Sequence, residues 1–250
     1  MTEAFKDHFK TVAQQYADSR PTYPKELFTW LVAQCGERDV AWDCGTGSGQ
    51  AARDLAAHFK LVIATDASES QISQVQPQEG IDYRVAPAEL SGLASGSIDL
   101  VVVAQALHWF DVDAFHDEAS RVLKPQGILA EWCYGHIEID NAAVDGLIQH
   151  FYADVVGPHW PPERVHVENA YRKLPFPYER LTPPAFAMRV TWSLQQLMGY
   201  LRSWSATAQY IKVHGTDPVE ELTQEVQQHW GDAETYYTIS WPLSLRVGKK

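Results

Sequence analysis

The chain is poor in the residues that announce a metal, a disulfide scaffold or a nucleic-acid surface. Three cysteines, Cys35, Cys44 and Cys133, are scattered through 250 residues, and their spacing fits neither a zinc pattern nor a paired disulfide framework. They are expected to be reduced and mostly buried. Ten histidines show no H-E-x-x-H or comparable ligand spacing, so no metal is called for. Cations are scarce: 20 Lys and Arg face 32 Asp and Glu, a net charge of −12. A phosphate backbone is met by clustered Lys and Arg, so DNA and bulk RNA are not expected partners. No apolar run reaches 18 residues and no basic segment precedes a short apolar one. The expectation is therefore no membrane span, no signal peptide and a cytoplasmic location. Internal repeats and low-complexity tracts are also missing.

What is present is 45% hydrophobic residues, ample for a core, and one stretch of unusual composition. Val40-Ala41-Trp42-Asp43-Cys44-Gly45-Thr46-Gly47-Ser48-Gly49-Gln50 is a short apolar run, an acid, and glycines at every second position. It reads as a strand, a tight loop and the start of a helix. Glycine permits positive φ and, lacking Cβ, close approach of a ligand. Asp43 falls at the carboxyl end of the strand, the ligand side of an open α/β sheet, where its carboxylate can accept from an ammonium or a hydroxyl. The dinucleotide fingerprint G-x-G-x-x-G is broken by Gln50, and no Lys-Ser or Lys-Thr pair follows as in a P-loop. NAD, ATP and GTP are thus disfavoured.

Further apolar runs follow in order. Leu61–Thr65 ends in Asp66, 21 residues beyond Gly45, where an acid can take both hydroxyls of a ribose. Tyr83–Val85 leads to Ala86-Pro87-Ala88-Glu89-Leu90, and Ser97–Val103 to Gln105-Ala106-Leu107-His108-Trp109-Phe110; Arg121–Leu129 contains a turn and a fifth strand. Strands alternating with helices imply a parallel, doubly wound sheet. Phe5, Phe9, Val12, Ala13 and Tyr16 mark a helix face that breaks at Tyr16–Pro24, an expected lid or pocket edge, and Pro24 opens a helix to about Cys35. Beyond residue 134, helices are expected at Asn141 to about Val155, Leu194–Ser203 and Pro218–Trp230, with a breaker at Gly157–Pro162. Phe186–Trp192 and Leu243–Val247 alternate as strands; Pro242 cannot donate to a ladder, so the last strand starts after it or carries a bulge.

Taken together, residues 40 to 133 resemble the class I S-adenosylmethionine-dependent methyltransferases. That resemblance implies one α/β domain over 1–250: N-terminal helices and lid in 1–36, a cofactor-binding core in 37–133, and acceptor-side helices with the last two strands in 134–250. The sheet implied is Rossmann-like and seven-stranded, mostly parallel, with an antiparallel C-terminal strand and a helical insertion. The late strands would pair antiparallel at its end. The implied cofactor is S-adenosylmethionine, leaving as S-adenosylhomocysteine, held by Asp43, Gly45, Thr46, Gly47, Gly49, Asp66, Ala67, Ala88, Glu89, Gln105 and Ala106. Tyr16 and Arg20 would lie near its methionine end. Many relatives carry Asp where this chain has Pro87, so backbone groups around Ala88 must serve the adenine.

Asp7-His8-Phe9, Arg20–Pro24, Trp192-Ser193-Leu194 and Tyr200–Ala206 resemble the trans-aconitate methyltransferase-like group. The implied acceptor is a small molecule, with carboxylate O-methylation ahead of hydroxyl methylation. A carboxylate is ionised near neutral pH and needs no base, but it needs a cation; Arg20, Arg164 and Arg202 are candidates, Arg202 first for its guanidinium fork. His108 is the other candidate catalytic residue, positioning the acceptor or taking its proton, or else bonded to backbone. Trp109 either shapes the acceptor pocket or joins the core. Methylation of nitrogen or carbon in another metabolite or protein, and a non-catalytic cofactor-binding subunit, stay open as alternatives; the intact Asp43, Gly45, Gly47, Gly49 and Asp66 favour catalysis.

Overall fold

The computed structural model describes residues 21–232 and 234–250; the expected helix at 3–16, with Tyr16 and Arg20, lies outside them. Nine strands occur among the described residues: β1 Val40–Cys44, β2 Leu61–Asp66, β3 Ile81–Val85, β4 Ile98–Ala104, β5 Leu123–Cys133, β6 Glu138–Ile139, β7 Ala187–Trp192, β8 Tyr237–Pro242 and β9 Ser244–Lys249. The chain forms two compact units. One takes in Tyr23–Gly135, Glu163–Ala187 and Pro242–Lys250, and the other His136–Pro162 and Met188–Trp241.

The first unit is built on a sheet of order β3-β2-β1-β4-β5-β9. All neighbours are parallel except β5 with β9. Strands buried on both faces read as continuous aliphatic runs, and Leu100, Val101, Val102 and Val103 of β4 are fully buried. Chain order runs outward from β1 through β2 to β3, then restarts on the other side with β4. The carboxyl ends of β1 and β4 therefore flank the switch point where open α/β sheets hold ligands. The helix Lys25–Gln34 follows Pro24 as expected, and Asp111 caps the helix Val112–Val122 by accepting from the Ala114 amide at 3.2 Å.

The second unit holds the helices Ala142–His150, Leu194–Arg202, Ser205–His214 and Pro218–Trp230. Their starts are chemically marked. Asn141 and Asp217 accept from first-turn amides, and Ser193 with Gln196 forms a reciprocal capping box. Its interior is aromatic: Trp192, Tyr200, Trp204 and Trp241 meet with ring centroids 5.3–5.8 Å apart.

One expectation is corrected. The central sheet has six strands rather than seven, because the two late strands do not pair with each other. β9 alone joins it, and β7 belongs to a separate sheet of order β6-β8-β7. Pro242, with no N–H for a ladder, ends β8, and β9 begins two residues later at Ser244 in the other sheet. No described helix is long and apolar enough to cross a membrane.

Candidate functional site

Asp43 is fully buried at the end of β1. Thr46 Oγ1 donates to its Oδ2 at 2.6 Å, while Oδ1 is buried with no hydrogen-bond partner among the described residues. Burial pushes its carboxyl up to about 6, against the pull of the Thr46 hydroxyl and the Ala52 amide; the nearby Asp66 charge pushes the same way as burial. The loop after it folds back onto β2, the amides of Gly45 and Thr46 both donating to Thr65 O at 2.8 and 2.9 Å. The Gly47 amide donates to Asp66 Oδ2 at 2.9 Å and the Ser68 amide to Oδ1 at 2.8 Å. Asp66 is thereby oriented at the end of β2, with Ala67 exposed beside it. Each of its oxygens keeps a further lone pair for a hydroxyl.

The three glycines have different duties. A Cβ on Gly45 would lie 2.6 Å from Ala106 Cβ, and one on Gly49 would lie 2.6 Å from Tyr83 Oη. Those two glycines serve the protein's own packing. Gly47, at φ +53°, faces open space, and there a ligand can approach the backbone.

On the far side of the crevice, Gln105 has φ +59°, a conformation that costs energy for a residue other than glycine. It is held by its amide donating to Trp132 O at 2.9 Å, and its side chain grips the Tyr134 backbone both ways, Nε2 donating to Tyr134 O at 3.0 Å and Oε1 accepting from Tyr134 N at 2.8 Å. Ala106 is thereby pressed onto Gly45. Ala88 is buried, and Glu89 Oε1 accepts from the Asp111 amide at 2.9 Å, so that carboxylate ties its loop to the next helix. Trp109 is 59% exposed and is no core residue.

His108 sits in the turn Leu107–Trp109 with Nδ1 2.9 Å from Tyr171 Oη. Burial, then the charges of Arg164 and His166, push its imidazolium down to about 4. Arg202 belongs to the other unit. Its Nε donates to Asp217 Oδ2 at 2.7 Å, and it borders a cavity of about 500 Å³ with Ser193, Met198 and Trp230.

Two features were not foreseen. Tyr171 lies in an irregular segment with no periodicity to flag it. Buried in the same unit, His116 Nε2 meets Glu131 Oε1 at 2.6 Å, and Arg246 pairs with Glu131 Oε2. An acid amid the apolar Ile128-Leu129-Ala130-Glu131-Trp132 run was the available signal, since an acid is almost never fully buried without a partner.

A glycine-rich loop on β1, a second acid on β2 and a strained turn after β4 define the nucleotide-cofactor class of α/β enzyme. Residues 42–130 match the methyltransferase domain family. A Dictyostelium discoideum protein bearing a methyltransferase name is 33% identical over 98% of this chain and 96% of its own. A solved structure from Anaeromyxobacter dehalogenans, titled as a type II methyltransferase, is 40% identical, covers 92% of this chain and 97% of its own, and superposes with a TM-score of 0.87. A Saccharomyces cerevisiae protein whose name includes S-adenosylmethionine dependence is 30% identical over 48% of this chain and 44% of its own length. The chain belongs to the methyltransferase domain family, whose members use S-adenosylmethionine. The site suits that cofactor: the buried unpartnered Asp43 Oδ1 matches a cationic or hydroxylated group, and the open side of Gly47 leaves it room.

Proposed function

We propose that this methyltransferase O-methylates a carboxylate of a small acid, with S-adenosylmethionine held by the β1 and β2 loops. Asp66 would take the ribose hydroxyls. Gly47 would admit the ligand against its backbone, and Asp43 would face the cofactor's polar end, with Ala88 and its neighbours flanking the adenine. Bound there, the cofactor supplies an electrophilic methyl: a lone pair on the acceptor oxygen forms the new C–O bond as the S–C bond breaks with its electrons left on sulfur. An already ionised carboxylate has no proton to lose.

The observation that carries the acceptor class is the electrostatics beside the turn after β4. Burial and then Arg164 push the His108 imidazolium down, and Arg164 also opposes the burial that raises the Cys133 thiol to about 12. A guanidinium near that turn suits an anionic acceptor. Arg202, paired with Asp217, is the weaker candidate for that role.

The test is calorimetric binding of S-adenosylmethionine and S-adenosylhomocysteine, followed by a methyl-transfer screen over small carboxylic acids including aconitate, with their amides and alcohols alongside. Ester formation with acids alone supports the reading. Turnover confined to amines or alcohols overturns the acceptor class, and absence of cofactor binding overturns the whole. Asp66→Ala is expected to weaken the cofactor by about 1–3 kcal/mol, the scale of a lost charge-assisted hydrogen bond.

A further inference from the structure

Tyr171 is a residue whose placement is heavily over-determined. Ala170 and Tyr171 are consecutive non-glycine residues at φ +53° and +55°, a conformation that persists only where the surroundings enforce it. The enforcement is visible. The Tyr171 amide donates to His166 O at 2.8 Å, and Arg246 Nη1 donates to the carbonyls of both Tyr171 and Leu174 at 2.8 Å. The Arg246 guanidinium, itself buried, is anchored on Glu131 and lies 5.8 Å from the Tyr171 ring centroid. Tyr171 is 1% exposed, and the side-chain contact that results from all this is one hydrogen bond to His108.

The direction of that bond follows from what each partner can do. Among the described residues, no acceptor other than His108 Nδ1 is hydrogen-bonded to the Tyr171 hydroxyl. If Nδ1 carried the proton, the phenolic O–H would be buried without an acceptor, at a cost large enough to disfavour that arrangement. The phenol therefore donates and Nδ1 accepts. A neutral imidazole with its Nδ1 lone pair engaged must carry its proton on Nε2. Burial keeps the phenol protonated, far above its usual range, and burial with Arg164 and His166 keeps the ring uncharged at neutral pH.

We infer that Tyr171 is a positioning residue that holds His108 as a neutral Nε2–H hydrogen-bond donor, so that the histidine beside the glycine loop orients an oxygen acceptor and does not remove its proton. This rests on the methyltransferase reading above and deepens it: a donor imidazole with an arginine near it suits a carboxylate, whereas an alcohol or amine acceptor needs the opposite tautomer. His108 is tied to the cofactor loop within the same unit, through Ala106 packed against Gly45.

The test reads the tautomer directly. In full-length protein labelled with ¹⁵N in the histidine rings, multiple-bond ¹H–¹⁵N spectra at pH 7 are assigned by the signals lost in His108→Asn. The expected result is one neutral His108 species protonated at Nε2, staying neutral until the pH nears about 4. Tyr171→Phe removes the hydroxyl and keeps the ring; it is expected to turn the single species into an averaged mixture of tautomers while the other nine histidines, of the ten in the chain, keep their shifts. An Nδ1–H tautomer or an imidazolium at pH 7, or an unchanged tautomer in Tyr171→Phe, overturns the assignment. Should Tyr171→Phe fail to fold, the wild-type tautomer decides alone. S-adenosylhomocysteine titrated into the same sample separates the two claims: the wrong tautomer with intact binding removes the role of Tyr171 and leaves the cofactor site, while absent binding removes the cofactor site itself.

Discussion

The two units of this protein are stabilised by different chemistry. The first has a mostly parallel sheet rich in fully buried Val, Leu and Ile, into which a buried polar network, Arg246 with Glu131 and His116, is set. The second has a small three-stranded sheet and packs Trp192, Tyr200, Trp204 and Trp241, largely edge to face, beside short helices. Aliphatic strands give a stiff floor on which loops can be held to fractions of an ångström. Interlocked rings bury large area per residue without a repeating backbone pattern.

The sharpest way to break that contrast is to attack each interior. Glu131→Leu leaves the buried Arg246 unpaired and is expected to cost about 3–5 kcal/mol in denaturant unfolding, with part of the loss recovered when Arg246→Leu is added. Trp241→Ala is expected to cost a similar ~3–5 kcal/mol through lost area and a cavity, with no second substitution that relieves it. A double variant Glu131→Leu/Arg246→Leu no more stable than Glu131→Leu alone would erase the distinction.

A second comparison lies inside the cofactor loop. Gly45→Ala should cost about 2–3 kcal/mol of stability by overpacking against Ala106, seen as a fall in Tm. Gly47→Asn, which tolerates the φ of +53° better than a β-branched residue, should leave more of the stability in place and abolish S-adenosylmethionine binding in calorimetry. The reverse pattern would exchange the duties given to these two glycines.

The strands β1, β2, β4 and β5 were legible because buried parallel strands are written as largely apolar runs, and the acids Asp43 and Asp66 stand where the first two of those runs stop. The glycine loop was legible for the same reason. What was not legible depends on partners far away in the chain. Nothing near Glu89 in sequence shows that the Asp111 amide awaits its carboxylate. Nothing near Tyr171 shows that Arg246, 75 residues later, turns its backbone. The late strands were legible as strands but not as members of different sheets, since alternation states which face is buried and not which neighbour covers it.

Charge supplies the third test. Asp43 titrates near 6 in the folded protein against an ordinary 3.8, so between these values the folded state holds the extra proton. The contribution of Asp43 is therefore full below about pH 4, is lost as pH rises through 6, and is flat above, by at most ~3 kcal/mol; His108, pushed down to about 4, contributes with the opposite sign over the same window. Asp43→Asn should remove that contribution, so that its stability relative to the wild type rises between pH 4 and 6 in unfolding measured from pH 4 to 8. Ligand affinity should move the opposite way in the wild type, strengthening as pH rises through 6 and Asp43 ionises to meet a cationic group. The smallest effect belongs to the second unit, where Arg202 and Asp217 are partly exposed. Asp217→Ser keeps a helix cap and removes the ion pair, for an expected ~0.2–1 kcal/mol. A larger loss would give that pair a role its exposure does not suggest.

The assignment of β9 to the central sheet also has a cost measured in time. Its partner β5 ends at Cys133 and β9 begins at Ser244, so a ribosome adds some 110 residues between them. At roughly 5–20 residues per second, that edge of β5 waits about 5–20 s for its neighbour. Throughout that interval the nascent chain displays an open row of backbone donors and acceptors, the kind of edge on which strands from other chains can add.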